Sequence, residues 1–207
     1  MLKFATFVAV SALALGAFGA AHALTVTPAV EYTSTGTLND SRPFTLGFQF
    51  TLSSPTNVDA LGYWAPGSAG SHMVGIWDSA GNLLTSTAVS GTDTLIGHFV
   101  WRAISSLTLG AGTYTIGGEY SGGPFPSGAS GVTTIPQLTW VTAEQQYGSG
   151  LNFPTNSYNG YGQNGIMEVN FSTGPTGVPE PAAWALMLVG VGGLGGALRA
   201  RRKAVAA

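Results

Sequence analysis

The chain has 207 residues, of which 31 are glycine, none is cysteine and only 8% are charged, with a formal net charge of −2. Without thiols there can be no disulfide, thiolate metal site or cysteine nucleophile. Lys3, Arg199, Arg201, Arg202 and Lys203 lie outside residues 24–175, which hold eight acids against only Arg42 and Arg102, a net of −6 that argues against nucleic acid as a partner.

In chain order, Lys3 precedes an apolar run from Phe4 to Ala21, and Ala21-His22-Ala23 is a small-x-small site. This predicts a secretory signal helix over 1–23, cut by signal peptidase after Ala23 to leave Leu24 at the mature terminus. Residues 24–175 then make one domain's length of chain. Phe44, Leu46, Phe48, Phe50 and Leu52 alternate with Thr45, Gly47, Gln49 and Thr51, a period of two that predicts a strand with one face in the core. Val58–Trp64 and His72–Trp77 are further strands between Pro, Gly and Ser punctuation. In Trp77-Asp-Ser-Ala-Gly-Asn-Leu-Leu84 an Asp carboxylate can take up turn amides and Gly81 can take positive φ, predicting a hairpin into Leu83–Val89. Alternation returns over Ile96–Ile104, with Phe99, Trp101 and Ala103 on one side and His98, Val100 and Arg102 on the other. Gly110 and Gly112 then turn the chain into a strand carrying Tyr114, Ile116 and Tyr120.

Ser121–Gly131 is a loop by composition, Gln137–Thr142 a strand, and Ile166–Phe171 the last strand, with Met167, Val169 and Phe171 on one face. Between these, Gln145–Gly165 is rich in Asn, Gln, Tyr and Gly; a loop of that length in a compact domain is either functional or mobile, and function is sought there. With no helical periodicity in 24–175, the expected class is all-β, an antiparallel β-sandwich with jelly-roll-like topology. Phe48, Phe50, Trp101, Tyr114, Ile116 and Phe171 are its expected core. Trp77–Leu84 followed by Leu109-Gly-Ala-Gly-Thr-Tyr114 resembles uncharacterised extracellular β-sandwich modules of exported bacterial proteins, a resemblance over roughly 44–120 that implies fold and carries no catalytic residue.

The last stretch has three parts: Pro179-Glu180-Pro181, an uncharged run 182–198, and the bases Arg199, Arg201, Arg202 and Lys203. As a helix the run reaches ~25 Å, a short bilayer span, and its one basic flank stays cytoplasmic, which places the preceding domain outside. The arrangement over 176–203 resembles the PEP-CTERM protein-sorting signal of exopolysaccharide-producing bacteria. The resemblance implies an inner-membrane-anchored intermediate, processing by an exosortase near the Pro-Glu-Pro, and delivery to the cell envelope or extracellular matrix.

No G-x-S-x-G and no H-E-x-x-H occurs, and the mature chain has only His72, on a loop, and His98, on a strand outside the core row. A carboxylate pair from Glu119, Glu144 and Glu168 would make a polysaccharide-active enzyme, the alternative reading. Asp40, Asp59 and Asp78 are too dispersed to predict calcium, and no cofactor or metal is expected. Sugar sites stack rings on aromatics and bond hydroxyls with amides, so Tyr147, Asn156, Tyr158 and Tyr161 are candidate glycan contacts. The expectation is an exported, non-enzymatic surface or matrix protein with extracellular polysaccharide as a partner.

Overall fold

A computed structural model describes residues 24–67, 69–158, 165 and 167–174. The expected signal helix, the segment 182–198, its basic flank and Tyr161 lie outside the described residues. In the described chain the strands are β1 (Val30–Glu31), β2 (Ser34–Asp40), β3 (Phe44–Leu52), β4 (Thr56–Trp64), β5 (Ser71–Asp78), β6 (Leu83–Ser90) and β7 (Thr94–Ile96). They continue with β8 (Phe99–Leu109), β9 (Gly112–Tyr120), β10 (Gly123–Ser130), β11 (Thr133–Thr134), β12 (Leu138–Tyr147), β13 (Asn156–Ser157) and β14 (Val169–Ser172), and one 3-10 turn covers Ala65–Gly67.

The fold is all-β, and every strand pairing is antiparallel. One sheet has the order β13-β12-β3-β9-β5-β6 and the other β14-β4-β8-β7, with β1-β11 and β10-β2 as two-stranded additions. The chain changes sheet at β3–β4, β4–β5, β6–β7, β8–β9 and β13–β14, so each sheet's apolar face is completed by chain-distant residues. The alternating β3 lies near the centre of the larger sheet, where Phe48, Phe50 and Leu52 meet Ile116, Val74 and Ile76 in one buried cluster with residues of the smaller sheet. Phe50 and Phe171 pack across the sheets with ring centroids 5.0 Å apart.

The smaller sheet departs from simple alternation because both of its faces are covered. Leu61, Tyr63, Val169 and Phe171 are cross-strand neighbours facing the larger sheet, while Trp101 lies opposite Gly62 on the other face. A Cβ on Gly62 would sit 2.8 Å from the Trp101 ring, so only glycine leaves the indole room to lie flat there. The segment before β2 covers that face. Val30 N donates to Asn170 Oδ1 (3.2 Å), Ala29 N to the Phe171 carbonyl (2.8 Å), and Tyr32 meets Phe99 edge-on.

Several expectations are corrected. Ser121–Gly131 is not a loop, because β10 runs through it and pairs with β2, a strand that the alternation pattern missed. Its prolines, Pro124 and Pro126, are tolerated because β10 has a partner on one side only. Ile96–Ile104 is not one strand: Gly97, at φ +62°, turns the chain between β7 and β8 and places His98 in the turn. His72 belongs to β5, in keeping with the strand expected over His72–Trp77 and not on a loop, and is buried. The strand expected over Gln137–Thr142 extends to Tyr147, and the final strand is the shorter Val169–Ser172. Tyr114 is only partly buried, its hydroxyl donating to the Gly110 carbonyl at 3.1 Å, whereas the other five expected core residues are buried. The hairpin at Asp78 forms as expected: its Oδ1 accepts from the amides of Ala80 and Asn82, both at 2.9 Å, and Gly81 has φ +84°.

Candidate functional site

Beyond the edge of the main core, Phe44, Leu46, Tyr120 and Ala143 form a second buried cluster, closed by Phe125 of β10 and by Tyr158. Tyr120 fastens this corner. Its hydroxyl donates to the Asp40 carbonyl at 2.6 Å, lies against the Gly123 carbonyl, and accepts from the Asp40 amide at 3.1 Å. The hydroxyl thus joins the end of β2 to the start of β10.

On this base sits an aromatic shelf. Tyr147 ends β12 with half its surface exposed (50%), and its ring packs on Phe44 at 4.6 Å. The Arg42 guanidinium lies 5.2 Å from the centroids of both rings, a cation–π arrangement, and its Nη1 donates to the Tyr147 hydroxyl at 3.4 Å. Arg42 is also forked onto Asp40, with Nε 3.0 Å from Oδ1 and Nη2 2.5 Å from Oδ2. These bonds hold the Asp40 carboxyl down at about 2 and push Arg42 upward, so the pair stays ionised and mutually neutralised. Beside it, Asp40, Phe44, Phe125, Gln145, Tyr147 and Tyr158 line a cleft of about 70 Å³. Enclosing small-molecule sites run to roughly 300 Å³ or more. This cleft can take a substituent, while a larger ligand would rest on the shelf.

Of the four candidate glycan contacts, the structure brings Tyr147 and Tyr158 to one cleft. It places Asn156 elsewhere, in β13 at the sheet edge, with Nδ2 donating to Gln146 Oε1 at 2.9 Å. Arg42, Phe44 and Phe125 were missed by sequence reasoning. The signal for Phe44 was read as core alternation, and nothing local links Arg42 to a residue 105 positions away.

Two of the three acids considered for a dyad are buried. Glu168 is fully buried, and burial pushes its carboxyl up to about 8, with the Tyr63 hydroxyl bonded to Oε1 pulling the other way. Glu144 is buried beneath the segment after β12; burial raises its carboxyl, against the bond that Ser157 Oγ donates at 3.0 Å. Glu119 lies on the outer face of the larger sheet, opposite Thr45. His72 stacks on Tyr63 and directs its two ring nitrogens at the carbonyls of Glu119 (3.0 Å) and Ala69 (3.1 Å), while His98 Nδ1 is 3.1 Å from Glu31 Oε2. Asp40, Asp59 and Asp78 lie on separate elements, and among the described residues no group of three or more His, Asp or Glu could hold a metal ion. Among the described residues, too, no helix is long and apolar enough to cross a membrane.

Comparison with known proteins places these features. Residues 30–163, from β1 past β13, match the model of a domain of unknown function, DUF4082. The chain belongs to the DUF4082 family. Residues 177–203 match the PEP-CTERM protein-sorting motif. The DUF4082 domain is therefore made for export through the membrane, handled by an exosortase, and delivered to the cell envelope or outside. No curated protein and no solved structure matches the chain.

Proposed function

We propose that the DUF4082 ectodomain is a non-enzymatic component of the cell surface or extracellular matrix that holds exopolysaccharide by stacking sugar rings on the Tyr147–Phe44 shelf. The observation that carries this reading is the half-exposed Tyr147 ring, backed by Phe44 and braced by an Arg42 whose charge Asp40 already satisfies. A neutralised, pre-braced aromatic surface costs little entropy to bind and offers apolar area beside amide donors such as Gln145. The sorting motif supports a glycan-rich destination. The burial of Glu144 and Glu168 favours binding over hydrolysis, since a glycosidase needs two carboxyls facing one open cleft.

Tyr147→Ala should reduce retention of the ectodomain on the host's own polysaccharide several-fold while leaving thermal stability nearly unchanged. Retention should persist at high ionic strength, because stacking and neutral hydrogen bonds are not screened as charge attraction is. Pull-downs at low and high salt check both points. Retention that is indifferent to Tyr147→Ala, or lost on adding salt, would refute the shelf.

A further inference from the structure

A larger concavity lies toward the other end of β2 from the shelf. It is bounded by β2, by the Trp64–Pro66 corner that ends β4, and by the β7–β8 turn, and encloses about 450 Å³. That volume falls within the range of sites that take up a small molecule, roughly 300–1,000 Å³, whereas the cleft beside the shelf falls well short of it. Its walls are of opposite character. Ser34, Thr35 and Thr37 line one side, where the Ser34 hydroxyl is bonded to Ser130 Oγ at 2.7 Å and the Thr35 hydroxyl donates to the carbonyls of Gly36 (3.0 Å) and Ser127 (3.2 Å), leaving oxygen lone pairs to accept. Facing them are the His98 ring and Leu95, the latter 61% exposed on a three-residue edge strand.

The apolar wall is braced from behind. The His98 ring stacks on buried Tyr32 at 4.3 Å and 20°, and its Nδ1 is held 3.1 Å from Glu31 Oε2. Gly97 allows this packing, because a Cβ there would lie 2.9 Å from Glu31 Oε1. The Glu31 carboxylate is engaged by the His98 ring behind the wall, and among the described residues no Asp, Glu, Lys or Arg lines the groove. A leucine so exposed beside a braced ring is an apolar surface without cover, set opposite hydroxyl oxygens that can still accept. Together these features fit a ligand that has an apolar face and a rim of hydroxyls and carries no charge.

We propose that this groove is a second ligand site, which takes one or two neutral hexose units, with His98 and Leu95 against the sugar face and the Ser34–Thr37 row against its hydroxyls. The site is separate from the Tyr147 shelf and does not depend on it. The two corners are joined by β2, whose seven residues span roughly 20 Å.

The test is saturation-transfer NMR on residues 24–174, whose two core clusters are closed by their own side chains. The probes are neutral gluco-, galacto- and manno-tetrasaccharides. At least one should receive transfer, and Leu95→Ser and His98→Ala should each weaken its affinity about five- to tenfold, as expected for losing part of one stacking surface. Leu95 is exposed, so its variant folds even if loss of the His98–Glu31 contact disturbs the turn. Tyr147→Ala should leave this signal intact. Transfer to none of the probes, or transfer that survives both groove substitutions, would overturn the proposal. So would binding removed by Tyr147→Ala alone, which would leave the shelf reading standing.

Discussion

Glu168 shows how a single residue can make this domain respond to pH. Its carboxyl is wholly buried and pushed up to about 8, far above the 4.5 of a free glutamic acid. The Tyr63 hydroxyl beside it has one proton and two acceptors in reach, Glu168 Oε1 and the Glu119 carbonyl at 3.3 Å. The Tyr63 hydroxyl donates to Oε1, while among the described residues Oε2 is buried without a partner, too little to hold the carboxyl ionised against burial. His72, stacked on Tyr63 and reaching the same carbonyl, completes the network. The sign of the linkage follows: between about 4.5 and 8 the folded chain holds a proton that the unfolded chain has released. This stabilisation is full below pH 4.5 and is lost as pH rises through 8, at up to about 1.4 kcal/mol per pH unit. Asp40 and Asp78, whose carboxyls are lowered, act in the opposite direction but at more acidic pH. Glu168→Gln keeps the shape and should flatten the slope between pH 5 and 8, making the variant the more stable protein at pH 8. Denaturant titrations across that range check it, and an unchanged slope would show that Glu168 is ionised in the fold.

At the scale of elements, the segment between β12 and β13 is a strap packed on the outer face of the larger sheet. Gly75 and Gly117 make room for it. A Cβ on Gly75 would lie 3.0 Å from Leu151, and one on Gly117 would lie 3.2 Å from Pro154 and 2.8 Å from Thr45 Cγ2. Phe153 packs on Trp77, and Thr45 Oγ1 accepts from Asn152 N at 2.8 Å. Gly117→Val should therefore lift the strap and cost ~1–3 kcal/mol, the usual range for overpacking. Limited proteolysis should then cut within 148–155 before global unfolding, and an unaltered cleavage pattern would refute the strap's dependence on Gly117. Sequence reasoning saw β3, β4, β5 and the Asp78 hairpin because alternation and turn chemistry are local signals. It read the strap as an open functional loop because what orders it, two glycines more than thirty residues upstream, is not local. For the same reason β2 and β10 stayed hidden: Ser34–Asp40 has one large apolar residue and β10 two prolines, so neither carries a period. In the candidate site, Tyr147 and Tyr158 were legible from composition, while the local Asp40–Arg42–Phe44 group is brought under Tyr147 by tertiary pairing across 105 positions.

For the molecule as a whole, the described chain enters and leaves on one side. Thr173 N donates to the Thr27 carbonyl at 2.9 Å, and Thr27 N to Ser172 Oγ at 3.1 Å. β14 pairs Val169 with Tyr63 and Ser172 with Ala60, so it heads away from the Trp64 end of β4. The shelf and the groove both gather at that Trp64 end, where Phe44 lies opposite Tyr120 and Trp64 opposite Phe99. Gly174 is seven residues before Pro181, so even fully extended the tether to the end of the Pro-Glu-Pro spans no more than ~25 Å. A domain held by its sorting segment would thus turn the end that carries the shelf and the groove away from the bilayer. Because the chain has no cysteine, single cysteines report this orientation directly. Replacing Pro179-Glu180-Pro181 by alanines should block exosortase processing and leave a membrane-held form. In that form, a bulky maleimide should modify Leu95→Cys as fast as in the released protein. It should react more slowly with Ala111→Cys, in the β8–β9 turn at the opposite end. Slower modification at Leu95→Cys than at Ala111→Cys would show the domain inverted, with the shelf and groove against the membrane until release, and would make exosortase cleavage the step that exposes them.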